Sequence, residues 1–107
     1  MVISSDMVYG HVESIILRCL MDKDCYGYEI SRYISEKTRQ EYEMKEATLY
    51  TAFRRLEKQG YIRSYWGDES MGARRRYYSI TGAGKEYFHK KMREWEQMKK
   101  LLDLLFA

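Results

Sequence analysis

Residues 45–81 read KEATLYTAFRRLEKQGYIRSYWGDESMGARRRYYSIT, and this stretch decides the fold. Its opening carries Leu49, Ala52, Phe53 and Leu56 at spacings of three and four, the repeat of one helix face, and Gly60 stands where a helix stops. YIRSYW and RRYYSI then have strand composition around GDESMG, a polar and flexible loop. The expectation is a helix followed directly by a hairpin. With Leu49, Phe53 and Leu56 turned inward, Ala47, Thr51, Arg54, Arg55 and Lys58 face out, and Thr48 and Tyr50 lie on the flanks. Hydroxyls and guanidiniums on one helix surface suit the DNA major groove. There Arg pairs with guanine, and Thr touches a thymine methyl or a phosphate.

Working outward, Val8, Val12, Ile15, Ile16, Cys19 and Leu20 fall at helical spacing and mark a first helix, with a break from Asp22 to Cys25. YGYEISRYISEKT reads as a second helix opening at Gly27, with Tyr26, Ile30, Tyr33 and Ile34 on one side. The second and third helices make a helix-turn-helix, although the link from Thr38 to Lys45 is longer than the minimal turn. The hairpin behind them then reads as a wing, whose arginines reach phosphates or a narrow minor groove. Side chains alternate along a strand, so Arg74 and Arg76 are expected on one side and Arg75 on the other. One or two of the three would touch DNA, and the remainder would pair with Asp68, Glu69 or another carboxylate. Thr81 is placed to cap a long last helix, with Gly84 where a capping-box Glu would complete the cap. The predicted architecture is mainly α with a small β-hairpin. Residues 1–82 form a winged-helix domain whose first helix also joins a dimer, and residues 83–107 form a dimerisation helix.

A chain of 107 residues suits one domain. Its net charge of +3 says little, but the charge is concentrated. Residues 45–80 hold eight basic side chains against four acidic ones; such a block is by itself either a solvated face or the footprint of a polyanionic partner, and helix and wing together favour the partner. No signal peptide and no apolar run of spanning length is legible, so the expected compartment is cytoplasmic, without a membrane partner. Cys19 and Cys25 read as free thiols used in packing. Their spacing is not a zinc pattern, His11 and His89 lie far away in sequence, and no sequence feature supports a redox switch. Without a phosphate loop, a nucleophile–base pair or a metal motif, neither an enzyme nor a cofactor is expected.

The stretch EATLYTAFRRLEKQGYIRSYWGDESMGARRRYYSIT resembles the core of PadR-type transcriptional regulators. The ATLY element, the RLEKQG helix end, the SYWGDE–GARRRYY hairpin and YGYEI in the second helix carry the likeness as a set. It extends from about Val12 to Leu105, and the short length is similar to the subfamily that includes multidrug-sensing repressors. The resemblance implies a dimeric winged helix that binds an operator and is often released by a small effector. The DNA-facing set is then Lys45, Thr48, Tyr50, Thr51, Arg54, Arg55, Lys58, Arg74 and Arg75. The alternative is a winged-helix adaptor for other proteins without direct DNA binding, against which the basic face argues.

The last helix supports a dimer independently of the resemblance. Phe88, Met92, Trp95, Met98, Leu102, Leu105 and Phe106 make an apolar stripe longer than so small a core can cover, and the surplus is expected to pack on a second copy. The expected interface is Val12, Phe88, Met92, Trp95, Leu102 and Leu105. Two-fold symmetry then implies a pseudo-palindromic DNA site, with half-sites about one helical turn apart. Two readings stand for Trp95. One is interface packing. The other, implied by the multidrug-sensing relatives, is a wall of a cavity at the dimer axis that stacks on flat aromatic ligands. Ser14, Arg18, Lys91, Met98 and Lys99 are its expected rim, and their charge favours anionic or neutral planar effectors over cations.

Overall fold

The computed structural model describes residues 5–67 and 74–107. A short helix α1 (Ser5–Val8) and a 3-10 turn (Tyr9–His11) lead into α2 (Val12–Asp22). Then come β1 (Cys25–Tyr26), α3 (Gly27–Lys37), α4 (Glu46–Lys58), β2 (Ile62–Trp66), β3 (Arg76–Ile80) and α5 (Gly82–Phe106). The three strands form one antiparallel sheet in the order β1-β3-β2. The fold is a winged helix-turn-helix with a long C-terminal helix.

The helix faces follow from the apolar spacing. Leu49, Ala52, Phe53 and Leu56 are the buried residues of α4, and Ile30 and Ile34 lie one turn apart on α3. Ile16, Leu17, Cys19 and Leu20 of α2 meet them in one core cluster with Ile62 and Tyr78 of the sheet. Phe53 stacks on Tyr78, ring centroids 3.9 Å apart, which joins α4 to the middle strand. Each such large side chain contributes roughly 1.5–3 kcal/mol when fully buried.

Two features between the predicted elements differ from expectation. The break after α2 ends in a strand, because Cys25 and Tyr26 pair with Tyr78 and Tyr77 of β3. The link between α3 and α4 is also folded into the core. Tyr42 and Met44 are buried, and Thr38 Oγ1 accepts from the Tyr42 N–H at 3.2 Å. Arg39 and Gln40 turn the chain there with φ of 53° and 65°, the left-handed region.

The exit from α4 is a second built turn. Gly60 has φ of 80°, its N–H donates to Glu57 O, and the next N–H, of Tyr61, donates to Leu56 O. This is a Schellman ending, in which a left-handed glycine satisfies the last helix carbonyls. Thr81 then ties three elements together. Its Oγ1 donates to Gly60 O at 2.7 Å and accepts from the Gly84 N–H at 3.0 Å, while its own N–H donates to Tyr61 O. A side chain at position 84 would collide with the Tyr61 carbonyl oxygen, which accounts for glycine in place of the capping-box Glu. Tyr61 stacks on Tyr87 at 4.3 Å on the same side. From this root α5 runs 25 residues, about 37 Å at 1.5 Å per residue, and the chain measures 57 × 33 × 21 Å overall.

Candidate nucleic-acid interface

The outer face of α4 carries Thr48, Tyr50, Thr51, Arg54, Arg55 and Lys58, all exposed, with Lys45 exposed at its N-cap. Arg54 donates to Thr51 Oγ1 at 3.4 Å, so the two sit on one surface a turn apart. Arg55 turns away from them. It donates to Glu13 on α2 at 2.8 Å and ties α4 to that helix.

The ring partners of the wing arginines follow the alternation of a regular strand. β3 begins at Arg76, and the Gly67 N–H donating to Arg75 O at 2.7 Å carries the ladder one step further. Each guanidinium lies over an aromatic ring: Arg74 over Trp66 at 5.2 Å and Arg76 over Tyr78 at 5.9 Å on one sheet face, and Arg75 over Tyr26, the strand partner of Tyr77, at 4.7 Å. All three line a single groove of about 560 Å³ together with Arg54, Tyr50, Tyr26 and Tyr28. Arg76 also donates to Ser64 Oγ at 2.8 Å and pairs with Glu57 of α4 at 3.5 Å, while Ser64 donates to Glu57 at 3.0 Å. Glu57 is the other carboxylate that one wing arginine needed. Asp68 and Glu69, the first candidates, lie outside the described residues.

The helix thus presents hydroxyls and Arg54 beside an arginine-lined wing groove, hydrogen-bond donors and cations on one side of a winged helix. Comparisons with known proteins identify the family. The model of the Transcriptional regulator PadR-like family matches residues 16–90. The chain belongs to this family. A transcriptional regulator from Clostridium thermocellum shares its structure with a TM-score of 0.87 and 53% identity, covering 95% of this chain and 96% of that one. A PadR family transcription regulator from hypervirulent Clostridium difficile matches with a TM-score of 0.79 and 38% identity, covering 92% and 100%. A protein of Lysinibacillus sphaericus described as uncharacterized protein X is 49% identical over 102 residues, 95% of this chain and 94% of its own length. The PadR-like family and these solved neighbours are transcription regulators, not enzymes. Among the described residues no helix is long and apolar enough to cross a membrane.

On the opposite side this PadR-like chain has an open apolar groove of about 740 Å³ between α2, α3 and the root of α5. Trp95 lines it with Ser14 and Arg18, so three of the expected effector residues come together. His11, Ile15, Lys37, Tyr42 and Met92 share the lining, and of these the sequence pointed to Met92 for the interface alone. His11 meets the edge of Trp95 at 5.3 Å. Lys91, Met98 and Lys99 do not line the groove. Lys91 pairs with Glu94 at 3.3 Å and lies over Tyr87; Lys99 pairs with Glu96 at 2.9 Å and lies over Trp95. Arg18 donates to Asp22 at 3.1 Å, which raises its pKa further.

The expected interface residues divide along α5. Phe88 is buried in the chain's own core, and Val12 and Met92 pack against it. From Trp95 onward the helix is uncovered. Trp95, Met98, Leu101, Leu102, Leu104, Leu105 and Phe106 are all exposed in the single chain, Phe106 by 81%.

Proposed function

We propose that this PadR-like protein is a dimeric, sequence-specific DNA-binding transcriptional regulator, acting as a repressor that a small planar effector relieves. The observation that carries the DNA reading is the convergence of Arg54 with Arg74, Arg75 and Arg76 on one groove beside the exposed Thr48–Thr51 surface. In this reading Thr48, Tyr50, Thr51 and Arg54 approach bases or nearby phosphates. Lys45, Arg55 and Lys58 are peripheral, and Arg74 and Arg75 hold phosphates from the wing. Occupying a promoter is the simplest action for a domain of this kind.

The dimer is supported by the uncovered stripe on α5, because monomeric proteins seldom leave so many large apolar side chains together in water. Two copies related by a two-fold axis would read a pseudo-palindromic operator. The effector reading is supported by Trp95, Ser14 and Arg18 on one groove, where a flat ring stacks on indole and an anionic group meets guanidinium. Selection of bound fragments from genomic DNA by the purified protein tests the DNA and dimer readings. A shared two-fold-related sequence among the recovered fragments supports both, and recovery no better than that of a random pool overturns the DNA reading.

A further inference from the structure

Cys19, on α2, and Cys25, in β1, face each other with their sulfurs 3.8 Å apart, both free thiols. Only 3% and 2% of their surfaces are exposed, yet both line an open pocket of about 330 Å³ walled by Asp22, Lys23, Glu29 and Arg32. A small reagent therefore has a route to two side chains that the core otherwise shields. The connection between them is short, and it leaves the helix after Asp22: Lys23 is extended, with φ of −168° and ψ of 162°. Sulfurs in contact need to approach by about 1.8 Å to reach bonding distance.

Movement at this point reaches the polyanion-binding side. Cys25 is the register partner of Tyr78, and Tyr26 of Tyr77, in the middle strand of the wing sheet. The Tyr26 ring is the shelf under the Arg75 guanidinium, and the Tyr26 N–H donates to Glu29 at the start of α3. Drawing Cys25 toward α2 therefore shifts the seat of a wing arginine and the entry to the helix-turn-helix together.

We propose that Cys19 and Cys25 are a modification site: hydroperoxides convert them to a reversible intramolecular disulfide, and the bridged protein holds DNA more weakly. The DNA half rests on the function proposed above; the bridge itself does not. One sulfur, as thiolate, attacks an oxygen of hydrogen peroxide. The O–O bond breaks, the sulfur becomes a sulfenic acid, and the departing hydroxide takes up a proton to become water. The second sulfur then attacks the sulfenic sulfur. The S–S bond forms, the S–O bond breaks, and hydroxide leaves with the second thiol's proton as water. Two thiols have lost two electrons, and one peroxide has become two waters. A dithiol reductant reverses the change by exchange. Burial pushes both thiols up, Cys19 to about 12, so thiolate is scarce at neutral pH and the bridge forms slowly, under sustained rather than brief exposure.

The test uses the full-length, reduced protein, treated with hydrogen peroxide and followed by intact mass, free-thiol counting and titration of a duplex recovered by fragment selection. The expected product is a single chain lighter by two hydrogens, with no free thiol and with duplex affinity lowered on the order of fivefold, the lower end of common couplings. Dithiothreitol restores it, and Cys19→Ala and Cys25→Ala keep their affinity through the same treatment. Because wild type is compared with itself in two redox states, a variant that fails to fold does not blur the result. Oxidation only to sulfinic or sulfonic acid, bridges only between chains, or equal affinity of bridged and reduced protein overturns the proposal. If reduced protein binds no duplex, the DNA reading has failed, and mass and thiol count still decide the bridge.

Discussion

Tyr65 donates its phenolic hydrogen to Asp24 Oδ2 across 2.6 Å, joining the outer wing strand to the segment between α2 and β1. Tyr65 also stacks on Tyr77, so the bond holds an aromatic pair over the sheet. The carboxylate accepting this proton pushes the phenol up to about 12, because ionised Tyr65 would lose the bond and face Asp24 as a like charge. The folded protein holds the proton more tightly than the unfolded chain, whose tyrosines ionise near pH ~10. The contribution is therefore complete below about pH 10 and lost as pH rises toward 12. Tyr65→Phe should cost at most about 1 kcal/mol at neutral pH, this being an exposed hydrogen bond. Urea melts at several pH values should show wild type losing stability above pH ~10 more steeply than the variant; parallel curves would count against the bond.

Arg54 and Arg75 should fail differently when removed. Arg54→Ala should weaken the best duplex by roughly 1–3 kcal/mol if the guanidinium reads a base, with little effect on unrelated sequences. Arg75→Ala should weaken all duplexes and lower the slope of log affinity against log salt by about 1. Fluorescence anisotropy over a salt series separates the two. A double variant binding as well as wild type at low and moderate salt would sink the winged-helix mode of binding.

Truncation after Glu94 deletes Trp95, Met98, Leu102, Leu105 and Phe106, all uncovered in the single chain. If a second copy covers them, each contributes up to about 1.5–3 kcal/mol, and their combined loss exceeds any ordinary dimer margin. Sedimentation should give a dimer for the full chain and a monomer for the truncated one. A full-length monomer at micromolar concentration would refute the dimer.

Trp95→Ala should abolish binding of flat anionic or neutral dyes. Stacking on an indole adds about 0.5–1.5 kcal/mol beyond the area it buries, and a groove flanked by Arg18 and Lys37 disfavours cations. Quenching of tryptophan emission reads the binding directly, over a background from Trp66. Equal titrations of wild type and variant would return Trp95 to a packing role.

The parts legible in the sequence were those with enough residues to show a period. On α4, Leu49, Ala52, Phe53 and Leu56 declare the buried face over about two turns, and what faces outward follows from it. β1 was not legible. Two residues, Cys25 and Tyr26, show no alternation, and they are a strand only because β3 supplies partners for them. Tyr42 and Met44 lie in a link whose backbone is set by Thr38 and by two left-handed residues, so their burial has no repeat to betray it. The alternation of the wing arginines was legible, because the period of two continues from β3 through Arg75 and Arg74, as their ring partners show. Lys91 and Lys99, expected at the rim of a cavity between two copies, pair within the single chain with Glu94 and Glu96, one turn away on the same helix.

The junction at Thr81 leaves no play between α5 and the rest of the chain. One hydroxyl grips the end of α4 and the first turn of α5, and Gly84 lies flush against the Tyr61 carbonyl, where even a methyl group finds no room. A twist applied far out along α5 is therefore expected to pass through its root rather than be absorbed there as in a slack hinge. It arrives at the end of α4 and the start of the wing as one rigid rotation. The two elements consequently steer together, like a wheel and its fork on one axle, and a substitution that loosened the joint would disconnect the steering while leaving both ends intact.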